Sequence, residues 1–177
     1  MTDVAPICSV RLELPLLTRQ QMRQLLDGDL AGVARQFGAR IPPAWLDGYR
    51  WLIDLRLRQL DEHPEDEPWL LRPIIATDGD ERRVVGGINF HGAPDERAMP
   101  EVGYGLLPEE RGKGYAIEAV RAVFDWARHE HGIRHFRASV APDNERSLHL
   151  IEVLGFRRVG EQWDPDDGLE FVFELDA

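Results

Sequence analysis

The sequence predicts an α/β fold in a single domain. Three observations carry that reading. Strand-like and helix-like stretches follow one another along the whole chain. A glycine-rich turn joins a buried strand to a strongly patterned helix. The length of 177 residues suits one full hydrophobic core, with no internal repeat, low-complexity tract or linker.

The elements follow in order. Val10, Leu12 and Leu14 alternate with Arg11 and Glu13, the period of a half-buried first strand. Thr18 and Gln21 match a capping box ahead of Met22, Leu25 and Leu26. A second helix is expected from Pro43, with Trp45, Tyr49, Leu52, Ile53, Leu57 and Leu60 on its apolar side. It should end before the acidic run 61–68, read as a solvated loop. A hairpin is expected next: Trp69 to Ala76, a turn through Asp78-Gly79, then Val84 to Phe90. Glu101 to Leu107 is apolar enough for a buried strand, and Pro108 ends it. Ile117, Val120, Phe124 and Ala127 then recur at helical spacing. Ala138 to Ala141 form a strand. Asn144 caps a short helix with Leu148, Ile151 and Leu154 on one face, and Gly155 supplies its stop. Phe156 to Trp163 and Leu169 to Leu175 close the chain as a hairpin, turning at residues 164–168. The order is β-α-α-β-β-β-α-β-α-β-β.

The most informative stretch is Arg111-Gly112-Lys113-Gly114-Tyr115-Ala116. A glycine-rich turn feeding a helix leaves several backbone N–H groups without intrahelical partners, and the helix dipole reinforces them. Gly112 and Gly114 let the backbone approach an anion closely, and Arg111 and Lys113 add positive charge. The turn reads as the seat of a phosphorylated cofactor. It is not a Walker A loop, because Gly114 follows Lys113 where Ser or Thr is required, and Leu107 stands at the earlier glycine. It is not a Rossmann fingerprint either, because Gly103 and Gly105 are followed by Pro108, and Gly112 and Gly114 by Ile117.

What remains is R-x-x-G-x-A over Arg111 to Ala116, which resembles the pyrophosphate loop of the GNAT superfamily of acyl-CoA N-acyltransferases. Downstream, a strand, N-x-x-S (Asn144 to Ser147) and L-G-F (Leu154 to Phe156) resemble the second half of that family's cofactor core. The E-x-G-Y strand from Glu101 and the N-x-x-S element are most similar to the branch containing ribosomal-protein N-terminal acetyltransferases. The resemblance implies a mixed, twisted, mostly antiparallel sheet with helices on both faces. It also implies that the strand carrying Gly105 to Leu107 splays from the strand carrying Ala138 to Ala141. The gap would hold the pantetheine arm of acetyl-CoA like an added strand. Leu106, Leu107, Arg111, Gly112, Lys113, Gly114, Tyr115, Ala116, Asn144 and Ser147 are the cofactor-binding residues so implied.

Acyl transfer from a thioester to an amine requires loss of a proton from the amine, stabilisation of an oxyanion and neutralisation of a thiolate. Glu101 resembles the family's base, acting directly or through water; the alternative is a solvated strand-end carboxylate. An N–H near Leu106 or Leu107 would face the oxyanion. Many family members carry a tyrosine four residues before the glycine of L-G-F, but here that position is Ile151. Ser147 is the replacement the branch resemblance suggests, against a plain role in the first helical turn. Tyr104 is a second, against burial in the core. A thiolate can also depart without a dedicated acid.

In this fold the acceptor is walled by the first helices and the last hairpin, which contribute Trp45, Tyr49, Trp51 and Trp163, with Trp69, Arg72, Asn89 and His91 opposite. Packing is the competing role for each. The leading reading is an acetyl-CoA-dependent N-acetyltransferase acting by direct attack on a small-molecule amine or a protein N-terminus. The alternatives are an acyl-CoA-binding or regulatory module, kept open by Ile151, and an enzyme using another acyl-CoA.

Composition bounds the rest. A formal charge of −11 argues against sequence-independent nucleic-acid binding and is compatible with a cationic amine. No run approaches a membrane span, and Asp3, Arg11 and Glu13 interrupt anything like a signal peptide. Cys8 is the single cysteine, so no intrachain disulfide forms and a reducing cytoplasm is the natural location. Six histidines show no metal-ligand spacing; His129 and His131 lie two apart, which on a helix do not face each other. Exposed edge strands and a C-terminal hairpin are compatible with a homodimer.

Overall fold

A computed structural model describes residues 4–165 and 168–176 of the chain. The strands are β1 (Ile7–Cys8), β2 (Leu12–Leu14), β3 (Arg72–Ala76), β4 (Arg83–Phe90), β5 (Val102–Leu106), β6 (His135–Val140), β7 (Arg157–Asp164) and β8 (Gly168–Asp176). The helices are α1 (Arg19–Leu26), α2 (Leu30–Phe37), α3 (Pro43–Glu62), α4 (Tyr115–His131) and α5 (Glu145–Val153). Short 3₁₀ turns occupy Pro64–Trp69 and Pro108–Glu110. Five strands pair in the order β1-β2-β3-β4-β5, and three in the order β6-β8-β7, all within these ladders antiparallel. Helices cover both faces, as expected.

Each face carries its own core. On one side α4 and α5 lie against the sheets, burying Phe90, Phe124, Phe136 and Ile151, with the Phe124 and Phe136 rings stacked at 3.9 Å. On the other, α1, α2 and α3 bury Leu17, Met22, Trp45, Ile53 and Ile75. Each fully buried Leu, Ile or Phe contributes about 1.5–3 kcal/mol, so both layers help to hold the sheet.

The capping box on α1 forms as read: Thr18 Oγ1 accepts from the Gln21 N–H, and Gln21 Oε1 accepts from the Thr18 N–H. Four expectations are corrected. The first strand is a tight hairpin instead, because the chain turns at Ser9, whose N–H donates to the Leu12 carbonyl at 2.9 Å, and leaves Val10 96% exposed. A helix stands where none was expected: Asp29 Oδ1 caps α2 on the Gly32 N–H at 2.8 Å, and Gly38 ends it in the left-handed region. The acidic run is exposed over residues 61–65 as expected, but it is neither a loop nor solvated throughout. α3 continues to Glu62, a 3₁₀ turn follows, and Asp66 is buried, accepting from Gln59 Nε2 at 2.6 Å and the Ala93 N–H at 2.8 Å. Trp69 ends that turn and packs on Phe90 and Trp126, so β3 starts only at Arg72. Of the expected turn over residues 164–168, Asp166 and Asp167 lie outside the described residues, as does Asp3.

The centre of the sheet is built on glycine. Trp45 Nε1 donates to the Gly86 carbonyl at 2.8 Å, and Tyr49 Oη to the Gly105 carbonyl at 2.9 Å. A Cβ on Gly86 would lie 2.1 Å from the Gly105 carbonyl oxygen, and one on Gly87 2.6 Å from Tyr49 Cε1. The bare position at Gly87 lets Tyr49 of α3 sit against the sheet, whereas the one at Gly86 lets β5 approach β4. Gly86→Ala meets backbone rather than a movable side chain and is expected to cost about 1–3 kcal/mol. Thermal unfolding should show a midpoint lower by roughly 2–10 °C.

Candidate active site

β5 and β6 run parallel and touch at one point. The Arg137 N–H donates to the Pro100 carbonyl at 3.0 Å, and Glu101 bridges to Arg137. Beyond that bridge the strands part, leaving a cavity of about 260 Å³ lined by Tyr104, Ser139, Ala141, Asn144 and Ser147 among others. The phase of the β4–β5 ladder decides what faces this gap. The Leu107 N–H donates to the Val85 carbonyl at 2.9 Å and the His91 N–H to the Glu101 carbonyl at 2.8 Å. Antiparallel pairing alternates, so Gly103 and Gly105 also direct their backbone groups to β4. Tyr104 and Leu106 direct theirs into the gap. Leu107 is thereby corrected as an oxyanion donor: its N–H is bonded to β4, and its side chain is buried in the core under α3. Of the two, Leu106 is the one whose N–H is directed into the gap.

Side chains alternate too, and Glu101 and Tyr104 emerge on opposite faces of β5. Glu101 lies on the α3 face, its side chain 20% exposed, with Oε1 3.7 Å from His91 Nδ1. Tyr104 lies on the α4–α5 face, packed against that core. Burial raises its phenol above the ordinary tyrosine pKa, with Ser147 acting in the opposite sense. The two hydroxyls approach without forming a hydrogen bond of normal geometry. Among the described residues, the buried side-chain polar atoms left without a partner are Tyr104 Oη and Arg137 Nε, and both stand on the strands that bound the gap. Buried polar atoms are normally paired. Of the two, Tyr104 lines the cavity, whereas Arg137 stands at the bridged end with its guanidinium turned to Glu174 and Asp95, so the tyrosine hydroxyl is the one placed to meet a polar partner from outside the chain.

Asn144 caps α5, its Oδ1 accepting the Ser147 N–H at 3.2 Å, and lines the cavity. Ile151, one turn on, is fully buried, so no side chain from that position reaches the gap.

The loop after β5 ends at the start of α4. Gly112 and Gly114 take φ of 78° and 82°, the left-handed region that favours glycine. No side chain caps α4, and its first internal bond runs from the Glu118 N–H to the Gly114 carbonyl at 3.2 Å. The N–H groups ahead of it are thus presented outward. The cationic side chains do not join them. Lys113 Nζ turns back to Glu110 at 2.8 Å, and Arg111 Nε donates to the Leu106 carbonyl at 3.2 Å. Tyr115 is 3% exposed and donates its hydroxyl to Asp78, so only its backbone is available; Ala116 is half-buried on the same first turn. The anion-facing chemistry of this loop is carried by the main chain.

The expected acceptor wall separates into three groups, with Tyr49 stacked on Trp45 and bonded to the Gly105 carbonyl. Trp45, Trp69 and Arg72 are core: Trp45 is fully buried, Trp69 sits among aromatic rings, and Arg72, its pKa lowered to about 10 by burial, donates to the Leu14 and Pro68 carbonyls. Trp51 and Trp163 are 65% and 76% exposed. Asn89 and His91 do lie beside Gly103 on the Glu101 face, within 2.9 Å of where its Cβ would stand. Arg56, buried on α3, holds Asn89 Oδ1 at 2.7 Å. Among the described residues no cluster of His, Cys, Asp or Glu could hold a metal ion, and no helix is long and apolar enough to cross a membrane.

Residues 11–157 match the family model for the acetyltransferase (GNAT) domain. The chain belongs to the GNAT acetyltransferase family. It is 36% identical over 77 residues to the uncharacterized N-acetyltransferase YjdG of Bacillus subtilis, an alignment covering 44% of this chain and 46% of that protein. The chain spans about half the length of the curated relatives it matches. Among solved structures, ribosomal-protein-S5-alanine acetyltransferase from Vibrio fischeri superposes with a TM-score of 0.62 at 18% identity, over 97% of this chain and 96% of that one. The microcin C7 self-immunity acetyltransferase MccE, solved with acetyl-CoA and AMP, gives 0.62 at 14% identity, over 96% and 94%. Both show a shared fold.

The loop is braced by Glu110, whose carboxylate accepts from Arg83 at 3.0 and 3.2 Å as well as from Lys113. Burial acts to raise this carboxyl, and Arg83 and Lys113 together outweigh it, holding it below the ordinary 4.5. A depressed pKa stabilises the fold above the unfolded value, and that stability is lost as pH falls through the folded one. Glu110→Gln is expected to cost about 1–3 kcal/mol at pH 7. The difference in unfolding free energy from the parent should shrink as pH is taken below 4.5.

Proposed function

We propose that this chain is an N-acetyltransferase that takes acetyl-CoA as donor and a primary amine as acceptor, with attack inside a ternary complex. The observation that carries this reading is the β5–β6 gap, with strand-edge groups and an orphaned tyrosine hydroxyl, opening beside an uncapped glycine-loop helix. The donor set fits acyl-CoA part by part. The N–H groups of Gly112, Lys113, Gly114, Tyr115 and Ala116 suit a pyrophosphate. The backbone groups of Tyr104, with Asn144, suit an amide-bearing arm, and the Leu106 N–H suits the acyl oxygen at its end. The thioester supplies an activated acyl group and a leaving thiolate.

The chain's own residues supply the rest. Glu101 accepts the amine proton, directly or through water, from the α3 face. The Leu106 N–H meets the charge that develops on the acyl oxygen. Its own peptide plane is held by Tyr49 on the Gly105 carbonyl, which fixes that N–H toward the gap. The departing sulfur receives a proton from Ser147, with Tyr104 beside it. Base and hydroxyl pair thus act from opposite sides of one strand.

The acceptor is a small-molecule amine or a protein N-terminus; the likeness to the Vibrio fischeri ribosomal-protein-S5-alanine acetyltransferase supports the second. A cytoplasmic location, no nucleic-acid or membrane partner and a homodimer complete the reading. A second reading is an acyl-CoA-binding module with little turnover. Ile151, sealed in the core where family members often carry a tyrosine, favours it.

Calorimetry with acetyl-CoA, followed by CoA release with a panel of amines, separates these readings. Binding with turnover supports the enzyme, binding without turnover the module, and no binding defeats both. Within the enzyme reading, Glu101→Gln should lower kcat about 10²-fold with acetyl-CoA affinity preserved and the acid limb of the pH–rate profile lost. Ser147→Ala should lower kcat as well, and further when combined with Tyr104→Phe. Lys113→Ala should change the Kd for CoA little, whereas Gly114→Val should abolish binding.

A further inference from the structure

Arg11 is remote from the glycine loop in sequence and in contact with it in space. It sits in the turn between β1 and β2, and its Nη1 donates to the Lys113 carbonyl at 3.0 Å. The rest of the guanidinium is engaged as well. Nε and Nη2 reach Glu118 Oε2 at 2.8 and 2.7 Å, Nη1 lies 3.8 Å from Asp78, and the plane stands 4.9 Å from the Tyr115 ring centroid. Glu118, in the first turn of α4, also accepts the Arg11 N–H at 2.8 Å and the Ser9 hydroxyl at 2.7 Å. One carboxylate thus receives donors from the backbone, the hydroxyl and the guanidinium of a single turn.

The consequence follows from peptide geometry. The Lys113 carbonyl and the Gly114 N–H belong to one rigid plane and point in opposite directions. A donor holding the carbonyl from behind aims the N–H outward, toward the anion side. Gly114 is the residue that opens α4, and a Cβ there would stand 3.3 Å from Arg11 Nη2, so the guanidinium is packed directly against the loop. The loop's own cations are turned to Glu110 and to the Leu106 carbonyl and do not do this work.

We infer that Arg11, anchored by Glu118, is a positioning residue that fixes the phosphate-facing N–H groups of the Gly112–Gly114 turn. This rests on the acyl-CoA reading above. A flexible glycine turn must otherwise be ordered by the ligand at a cost in affinity, and the expected loss is about tenfold for a ligand that carries the pyrophosphate. Pantetheine, which has the arm without the phosphates, should be indifferent.

The test is calorimetric titration of the parent, Arg11→Ala and Arg11→Lys with CoA and with pantetheine. The expected result is a parent that prefers CoA, an Arg11→Ala variant with CoA weakened about tenfold and pantetheine unchanged, and partial recovery with Arg11→Lys. A variant that binds CoA like the parent overturns the inference while leaving the CoA reading intact. So does equal loss toward both ligands, the signature of a fold defect. A parent that binds neither ligand overturns both. Should Arg11→Ala fail to fold, Glu118→Gln, which loosens the anchor and leaves Arg11 in place, should give a smaller loss confined to CoA; no loss there overturns the inference.

Discussion

The parting of β5 from β6 after a single backbone bridge is the constraint on which the site depends. Glu101 and Arg137 form an isolated parallel bridge, and no ladder follows it although both strands continue. Unpaired strand edges inside a fold are costly, and the structure tolerates this one because neither neighbour can close it. β5 is held from the α3 side by Tyr49 through the Gly105 carbonyl. β6 is paired along its length with β8. The gap is therefore kept open from both flanks and not by any residue within it.

The same logic governs the glycine loop. Its conformation is stabilised by groups that approach from outside: Arg83 and Glu110 beneath it, Asp78 on Tyr115, and Glu118 with Arg11 at the start of α4. Side chains brought in from the first hairpin and from β4 hold the turn in shape and leave its inner surface to backbone amides. This explains why the motif tolerates so few side chains of its own: in a turn read by its N–H groups, Cβ atoms obstruct and remote braces do not.

Most of the fold was legible from periodicity and caps, since those signals are local. The Thr18–Gln21 box, the α4 stripe and the Asn144 cap each involve residues within a turn or two of one another. α2 is hidden in the sequence although Asp29 and Gly38 bracket it: it is as short as α1 and lacks the capping box that marks α1. The acidic run was misread because charge suggests solvent, whereas Asp66 is buried by partners on α3 and on the β4–β5 connection that no local pattern announces. The site divides along the same line. The glycine loop, Asn144 and Ser147 are local motifs and were read as such. The phase that separates Leu106 from Leu107 is set by pairing with Val85, and the part played by Arg11 depends on a contact across 102 residues. Trp45 and Trp69 carried no signal to distinguish a wall from a core.

The charge pairing around the loop bears on how an anion would be met there. Lys113, Arg83 and Arg11 each face a carboxylate of the protein, so much of the positive charge around the entrance is balanced internally, with Arg111 on the Leu106 carbonyl, on a chain whose total is −11. Beyond a Debye length of about 8 Å in physiological salt, an anionic ligand is therefore not drawn in by a favourable field. Its attraction begins at contact. Discrimination among anions would then fall to the spacing of amides, which simple ions such as chloride cannot match, and added salt would compete weakly with a ligand that can.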